Sequence, residues 1–384
     1  MSDVYTQTTT TSWFGRLGGA FKGILFGIIL VVASVPLLWW NEGRAIDRTH
    51  TLEAGQRAVV SIDADHRDPA NDGQLVHTGG LATTDEMLRD PTFGVSVNAL
   101  RLQRRVEMYQ WKEEKHSSTS RGSGGSETTE TTYRYDMGWS DHWIDSGHFQ
   151  YAAGHQNPAQ MPFNSESYQA SNVRLGDFRL GPSFVAQIGP YSTYRPTDAS
   201  DLPTGFEPYG NGYYRGTPQS PQIGDVRVGF EVVEPTTVSV IGKQVEDGIE
   251  VARMPKGTIA LLDLGRVDAD TMFAKALDAN AALTWGLRFA GILVMWIGLK
   301  LILNPLRVLV DIVPFIGRIV GAGTSLIAGL IAFSLGFLTI AAAWIFYRPL
   351  LAGGLIAATL VLVTVGVFKV RRSNPAPTAT QKPL

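Results

Sequence analysis

The chain has no cysteine among its 384 residues, which removes disulfides, thiolate nucleophiles and cysteine-ligated zinc or iron–sulfur centres together. Charge of either sign is also in short excess: 33 Lys and Arg stand against 35 Asp and Glu, a formal charge of −2. With no basic stripe interleaved with aromatics to follow a phosphate backbone, nucleic acid is not an expected partner. Catalytic signatures are missing as well: no Gly-x-Ser-x-Gly elbow, His-Glu-x-x-His pair, Walker loop or dinucleotide fingerprint occurs. The stretch Gly210 to Gly216 has the wrong spacing for a phosphate loop, and its two tyrosines point to a turn or contact surface. No cofactor is expected.

What the chain does have is four long apolar runs, one near the N-terminus and three near the C-terminus, with about 240 mostly polar residues between the first and second. Phe21–Trp40, Trp285–Leu303, Ile319–Ala343 and Leu350–Phe368 read as four transmembrane helices, the last two free of charge. The first is followed by Asn41-Glu42-Gly43-Arg44 and not by a small-residue cleavage site, so it reads as a retained anchor and not as a signal peptide. Gly15, Gly19, Gly23 and Gly27 recur every four residues and form a candidate helix-packing line. Residues 1–20 read as a flexible N-terminal tail and 369–384 as a cytoplasmic tail. Lys and Arg flank the spans so that both termini fall in the cytoplasm and residues 41–284 on the extracytoplasmic or lumenal side, although Arg44, Arg48 and Arg288 pull the other way. Asn304–Arg318 reads as an interfacial or re-entrant segment in which Arg307 and Asp311, four apart, share a helical face.

Residues 41–284 read as a β-rich α+β domain large enough for its own core. Alternation is clearest where Leu100, Leu102, Val106 and Met108 face one way and Arg101, Gln103, Arg105 and Glu107 the other. The aromatics from Tyr133 to Trp139 alternate likewise, which predicts a hairpin, with the Ser/Thr/Gly-rich residues Glu113–Thr132 as a mobile tip. Further strands are predicted at 226–232, 237–242 and 258–264, then a helix from Asp270 to Leu283. His142, His148 and His155, beside Asp136, Asp141 and Asp145, are candidate metal ligands, but their spacing matches no strong metal motif.

Several segments in order resemble the transmembrane protein 43 family, also called LUMA. They are Asn41-Glu42-Gly43-Arg44-Ala45, Leu75-Val76-His77, Asp90-Pro91-x-Phe93-Gly94-Val95, Val106-Glu107-Met108-Tyr109-Gln110-Trp111, Gly154-His155-x-Asn157-Pro158, Gly224-Asp225-x-Arg227-Val228, Thr284-Trp285-Gly286-Leu287-Arg288 and Phe346-Tyr347-Arg348-Pro349-Leu350. The resemblance implies four spans with a lumenal domain, self-association, and for animal members the endoplasmic reticulum and inner nuclear membrane with lamins and emerin as partners. In a bacterium the equivalent place is the inner membrane with a periplasmic domain, and those partners do not transfer. No enzymatic activity carries over. Arg44, His77, Glu107, Trp111, His155, Asn157, Asp225, Asp311 and Arg348 are the interaction or structural candidates. The leading expectation is a self-associating membrane or envelope organiser. Its alternative is an enzyme or lipid-handling protein with His77, His155 and Asp311 at the domain–bilayer boundary.

Overall fold

The computed structural model describes residues 3–122, 124–198, 201–311, 314–347 and 349. The chain divides into two compact units, one made of Met1–Ser12 with Arg48–Asn280, the other of Trp13–Asp47 with the chain from Ala281 onward.

The first unit is β-rich. Its larger sheet runs in the order β1 (Asp3–Thr11), β7 (Glu127–Ser140), β6 (Arg101–Arg121), β14 (Val226–Val233), β13 (Gly212–Arg215) and β12 (Glu207–Tyr209), with β11 (Ser192–Tyr194) on β14 and β8 (Glu166–Gln169) on β6. The second sheet runs β19 (Leu261–Leu264), β15 (Thr236–Val245), β16 (Gly248–Glu250), β10 (Phe178–Leu180), β9 (Arg174–Leu175), β3 (Leu75–Thr83) and β2 (Val60–Ser61), with β15 also paired to β3. Two ribbons, β4 (Met87–Asp90) with β5 (Val95–Asn98) and β17 (Ala252–Met254) with β18 (Gly257–Ile259), complete the strands, beside a one-turn helix α2 (Pro182–Val185).

The alternation in β6 does what its period demands: Leu102, Val106 and Met108 are fully buried and meet Val226, Val228, Phe230 and Val232 of β14 in one core. That core joins both sheets through Leu175, Phe178, Val238 and Val240. A second core gathers Leu52, Leu75, Ile241, Ile259, Met272 and Phe273. Strand 226–232 coincides with β14, and 237–242 lies within β15.

The β6–β7 hairpin is longer than its composition implies. Pairing runs from Met108 opposite Ser140 to Arg121 opposite Glu127, so Glu113–Thr132 is mostly strand and only the few residues around Gly122 turn the chain. Threonine is β-branched and suits a pleated surface. Hydroxyl pairs Ser117–Thr131 at 3.2 Å and Thr119–Thr129 at 3.3 Å add cross-strand contacts.

The second unit is helical. Helices α1 (Trp13–Ala58), α3 (Ala269–Val310) and α4 (Pro314–Tyr347) are, among the described residues, the three long and apolar enough to cross a membrane. They contain the runs Phe21–Trp40, Trp285–Leu303 and Ile319–Ala343. The fourth run, Leu350–Phe368, and Arg348 lie outside the described residues. Two helices continue well past their apolar runs: α1 through Ala58, and α3 back to Ala269, which absorbs the helix expected from Asp270. At about 1.5 Å per residue α1 is roughly 69 Å long, over twice a hydrocarbon core of about 30 Å. Asn304–Arg318 divides between the end of α3 and the start of α4.

Gly27 and Gly298 mark a close approach of the α1 and α3 backbones. A Cβ on Gly27 would lie 2.6 Å from the Gly298 carbonyl oxygen, and one on Gly298 2.7 Å from that of Gly27. Gly23 meets only Leu301 at 3.9 Å, and Gly19 has nothing within 4 Å. Leu38, Met295, Ala332 and Ile340 form the small core of this unit.

Candidate functional site

Three of the family-like segments converge inside the helical unit. Glu42 on α1, 2% exposed, accepts both arms of Arg288 from α3, at 2.7 and 2.8 Å, and the indole N–H of Trp344 from α4 at 2.8 Å. The Arg288 guanidinium also lies over the Trp285 ring at 4.6 Å and the Trp344 ring at 5.7 Å. Next to it Asn41 donates to the Thr284 carbonyl at 3.1 Å, and Arg44 donates to the Thr284 hydroxyl at 3.0 Å and to Asn41 Oδ1 at 3.3 Å. Gly43 gives room to the Tyr347 ring, whose atoms stand 2.8 Å from where its Cβ would be. Both Glu42 oxygens accept hydrogen bonds, so this carboxylate ties three helices together.

Asp311 is fully buried in the same unit and holds the Arg16 guanidinium, while Trp13 donates its indole N–H to the Val308 carbonyl at 2.7 Å. The sequence suggested Arg307 as the partner of Asp311; the structure adds Arg16, 295 residues away.

In the β-rich unit Trp111, His155 and Asn157 come together. Asn157 bridges the chain after β7 to β6: its Oδ1 accepts from the Trp111 N–H at 2.7 Å, and its amide donates to the carbonyls of Trp111 at 3.0 Å and Ile144 at 3.1 Å. His155, 1% exposed, stacks on Tyr135 at 4.1 Å and meets the edge of Trp111 at 4.7 Å. Its Nδ1 faces the Tyr151 carbonyl at 2.9 Å and its Nε2 the Asp3 carboxylate at 3.2 Å. The Tyr135 hydroxyl donates to Glu113 at 2.5 Å and accepts from the Tyr151 N–H at 3.0 Å. Burial, then the Glu113 carboxylate, push the Tyr135 phenol up to about 12.

Glu107 lines a second place, an open groove of about 610 Å³ on the larger sheet, and Asp225 holds Tyr214 of its wall. Glu107 accepts from Arg227 at 2.6 Å, and Arg227 lies over the Trp139 ring at 4.5 Å. Asp225 accepts from the Tyr214 hydroxyl at 3.1 Å and from the N–H groups of Thr217 and Gln222 at 3.1 and 3.0 Å, which folds the loop that carries the groove wall. Burial and Asp225 raise the Tyr214 phenol to about 12. Trp139, Tyr209, Tyr213, Tyr214 and Phe230 are its aromatic lining.

His77 lies elsewhere, on β3 of the second sheet, with Ser61 Oγ at 3.2 Å and the Val267 carbonyl at 2.8 Å. His142 and His148 are exposed and pair with Asp141 and Asp145, at 3.0 and 2.8 Å, so they do not converge on His155. Among the described residues no group of three His, Asp or Glu side chains is placed to hold a metal ion.

Four groups escaped sequence reasoning. Trp344 is outside every segment singled out from the sequence, and Glu42 and Arg288 enter there only as members of family-like segments, with Arg288 also a flanking charge. Arg104 is buried in β6 and donates to Asp90 at 2.5 Å, to Glu166 at 2.9 Å and to the Asn164 carbonyl at 3.0 Å. Its signal was available, since it holds an inward position of the alternating strand.

A family model described as transmembrane protein 43 matches residues 108–349. The chain is 34% identical over 369 residues to the human protein named transmembrane protein 43, covering 93% of this chain and 92% of that one. It is also 34% identical to the mouse protein of that name over 379 residues, 95% and 94% of the two chains. A Drosophila melanogaster homolog is 30% identical over 347 residues, 87% and 91% of the two chains. No solved structure matches significantly.

Proposed function

The chain belongs to the transmembrane protein 43 family and is an integral membrane protein, and from that premise we propose that it is a non-enzymatic membrane organiser. Its helices form the anchor, Leu350–Phe368 supplies a fourth crossing, and the β-rich unit faces the lumen or periplasm and binds partners. Those partners are other copies of this chain and membrane or envelope proteins; lamins and emerin enter only for a chain of animal origin. The observation that carries this reading is the open groove with Trp139, Tyr209, Tyr214 and Arg227. Aromatic and arginine side chains are the ones that dominate protein contacts. In support, the buried carboxylates Glu42, Asp90 and Asp311 are each held by arginine, as structural ion pairs are.

The test is proximity crosslinking in native membranes with the intact chain and with Trp139→Ala and Tyr209→Ala. Specific neighbours of the intact chain should fall away in the two variants. Recovery of monomer alone, or a neighbour set that ignores both substitutions, overturns the reading. A boundary enzyme built on His77, His155 and Asp311 draws no support from the partners these residues hold.

A further inference from the structure

The outer edge of the larger sheet is covered by the chain's own N-terminal strand. β1 pairs with β7 over nine residues, from Asp3 opposite Tyr135 to Thr11 opposite Glu127. The strand is held mainly by its backbone, since every one of its residues is exposed, and besides a hydroxyl contact of Thr10 with Thr128 at 3.4 Å two side chains engage built features. Tyr5 stacks on Tyr151 at 4.5 Å and meets the edges of Tyr135 and His155 at 5.9 and 6.2 Å. Asp3 reaches Nε2 of the buried His155. Asp3 and Tyr5, two residues apart, share one face of the strand.

Only Ser12 separates β1 from Trp13, where α1 begins. When the run Phe21–Trp40 crosses a bilayer, Ser12 leaves on one face and Asn41 on the other. β7 follows Asn41 with no further apolar run before Trp285, so it emerges on the Asn41 face. For Thr11 to stay opposite Glu127, the distal hairpin would have to traverse the hydrocarbon with Glu113, Glu114, Lys115, His116, Arg121, Glu127, Glu130 and Arg134. Open sheet edges and charges of that density do not exist there. The docked strand and the crossing span are therefore alternatives, and crossing opens the β7 edge.

We propose that the β7 edge is a strand-docking site which, with the first span across the bilayer, takes an extended segment of another protein. β1 displays the recognition: an acidic residue for His155 and, two places on, an aromatic residue for the Tyr135–Tyr151 pocket. Main-chain hydrogen bonds along β7 supply the rest, as in other cases of strand addition. This deepens the organiser reading by naming a partner chemistry and depends on that reading for the placement of the β-rich unit.

The absence of cysteine allows a direct test. The full chain with Thr8→Cys and Glu130→Cys, directly opposite in the register, is oxidised in native membranes; no intrachain disulfide is expected. A synthetic peptide of residues 3–11 should bind the full chain in lipid nanodiscs. Its Tyr5→Ala form should bind about tenfold more weakly, for one aromatic ring left in water. The Asp3→Asn form should lose affinity on the wild-type chain and match the unaltered peptide on His155→Gln. Near-complete disulfide formation, no peptide binding, or equal binding of the Tyr5→Ala peptide each overturns the proposal. Crosslinked neighbours that survive alongside such a result leave the organiser reading intact, and loss of all neighbours while the peptide still binds removes that reading alone.

Discussion

Replacing Arg288 by Met should be the most damaging single change in the helical unit. It removes two charge-assisted hydrogen bonds from Glu42, at 2.7 and 2.8 Å, and leaves that carboxylate with the Trp344 indole N–H at 2.8 Å. Glu42 is 2% exposed, so water cannot replace what is lost. Two such bonds at about 1.5–3 kcal/mol each and the general cost of orphaning a buried charge, about 3–5 kcal/mol, agree. Hydrogen exchange in lipid nanodiscs reads this locally: amides of α1 near Glu42 and of α3 near Arg288 should exchange roughly 10²–10⁴-fold faster, at about 1.4 kcal/mol per decade. The double variant Glu42→Leu with Arg288→Met should recover most of the loss, because an apolar pair of similar volume replaces buried ions at little cost. It should keep about 1–3 kcal/mol of deficit from the Trp344 N–H, which has then lost its acceptor. If the double variant is as damaged as the single one, or if Arg288→Met costs under about 1 kcal/mol, the pair does not organise these helices.

Gly27→Leu should force α1 and α3 apart, since even a Cβ meets the Gly298 carbonyl at 2.6 Å; a loss of about 1–3 kcal/mol or more is checked by the same exchange measurement, with Gly19→Leu, whose Cβ meets nothing within 4 Å, as the silent control. Asn157→Leu should destabilise the β-rich unit by about 2–3 kcal/mol, as two backbone groups of Trp111 and the Ile144 carbonyl lose their partner; exchange at Trp111 tests it. Tyr135 and Tyr214, both raised to about 12, should stay protonated through the ordinary tyrosine range near 10. Each thus contributes stability that is complete below its unfolded pKa and lost as pH rises through the folded one, and phenolate absorbance against pH in wild type, Tyr135→Phe and Tyr214→Phe checks the order.

How much of this was legible in the sequence differs by element. The run from Leu100 to Met108 announced its strand because a half-buried strand needs a period of two, and β6 obeys it. The same rule placed Arg104 inside, yet a lone arginine looks alike whether it faces water or Asp90; only the fold brings Asp90 and Glu166 to it. The hairpin tip was misjudged because Ser, Thr and Gly signal mobility in isolation, whereas paired Thr rows stiffen one another. Trp111, His155 and Asn157 were each singled out and prove to be one cluster. Glu42 and Arg288 stayed invisible as a pair because 246 residues separate them. Each reads as an ordinary charge flanking its own apolar run.

That separation has a consequence in time. A ribosome adding about 5–20 residues per second needs roughly 10–50 s to get from Glu42 to Arg288. Throughout that interval Glu42 stands just past the first apolar run without Arg288, while the chain of the β-rich unit from Arg48 to Asn280 is made. The arginine arrives only with α3, and Trp344 only when α4 is nearly finished, so Glu42 is fully satisfied at the moment the helical unit has all three described members. A chain stalled or cut before that point carries a carboxylate that has not met the arginine and the indole which hold it in the finished fold.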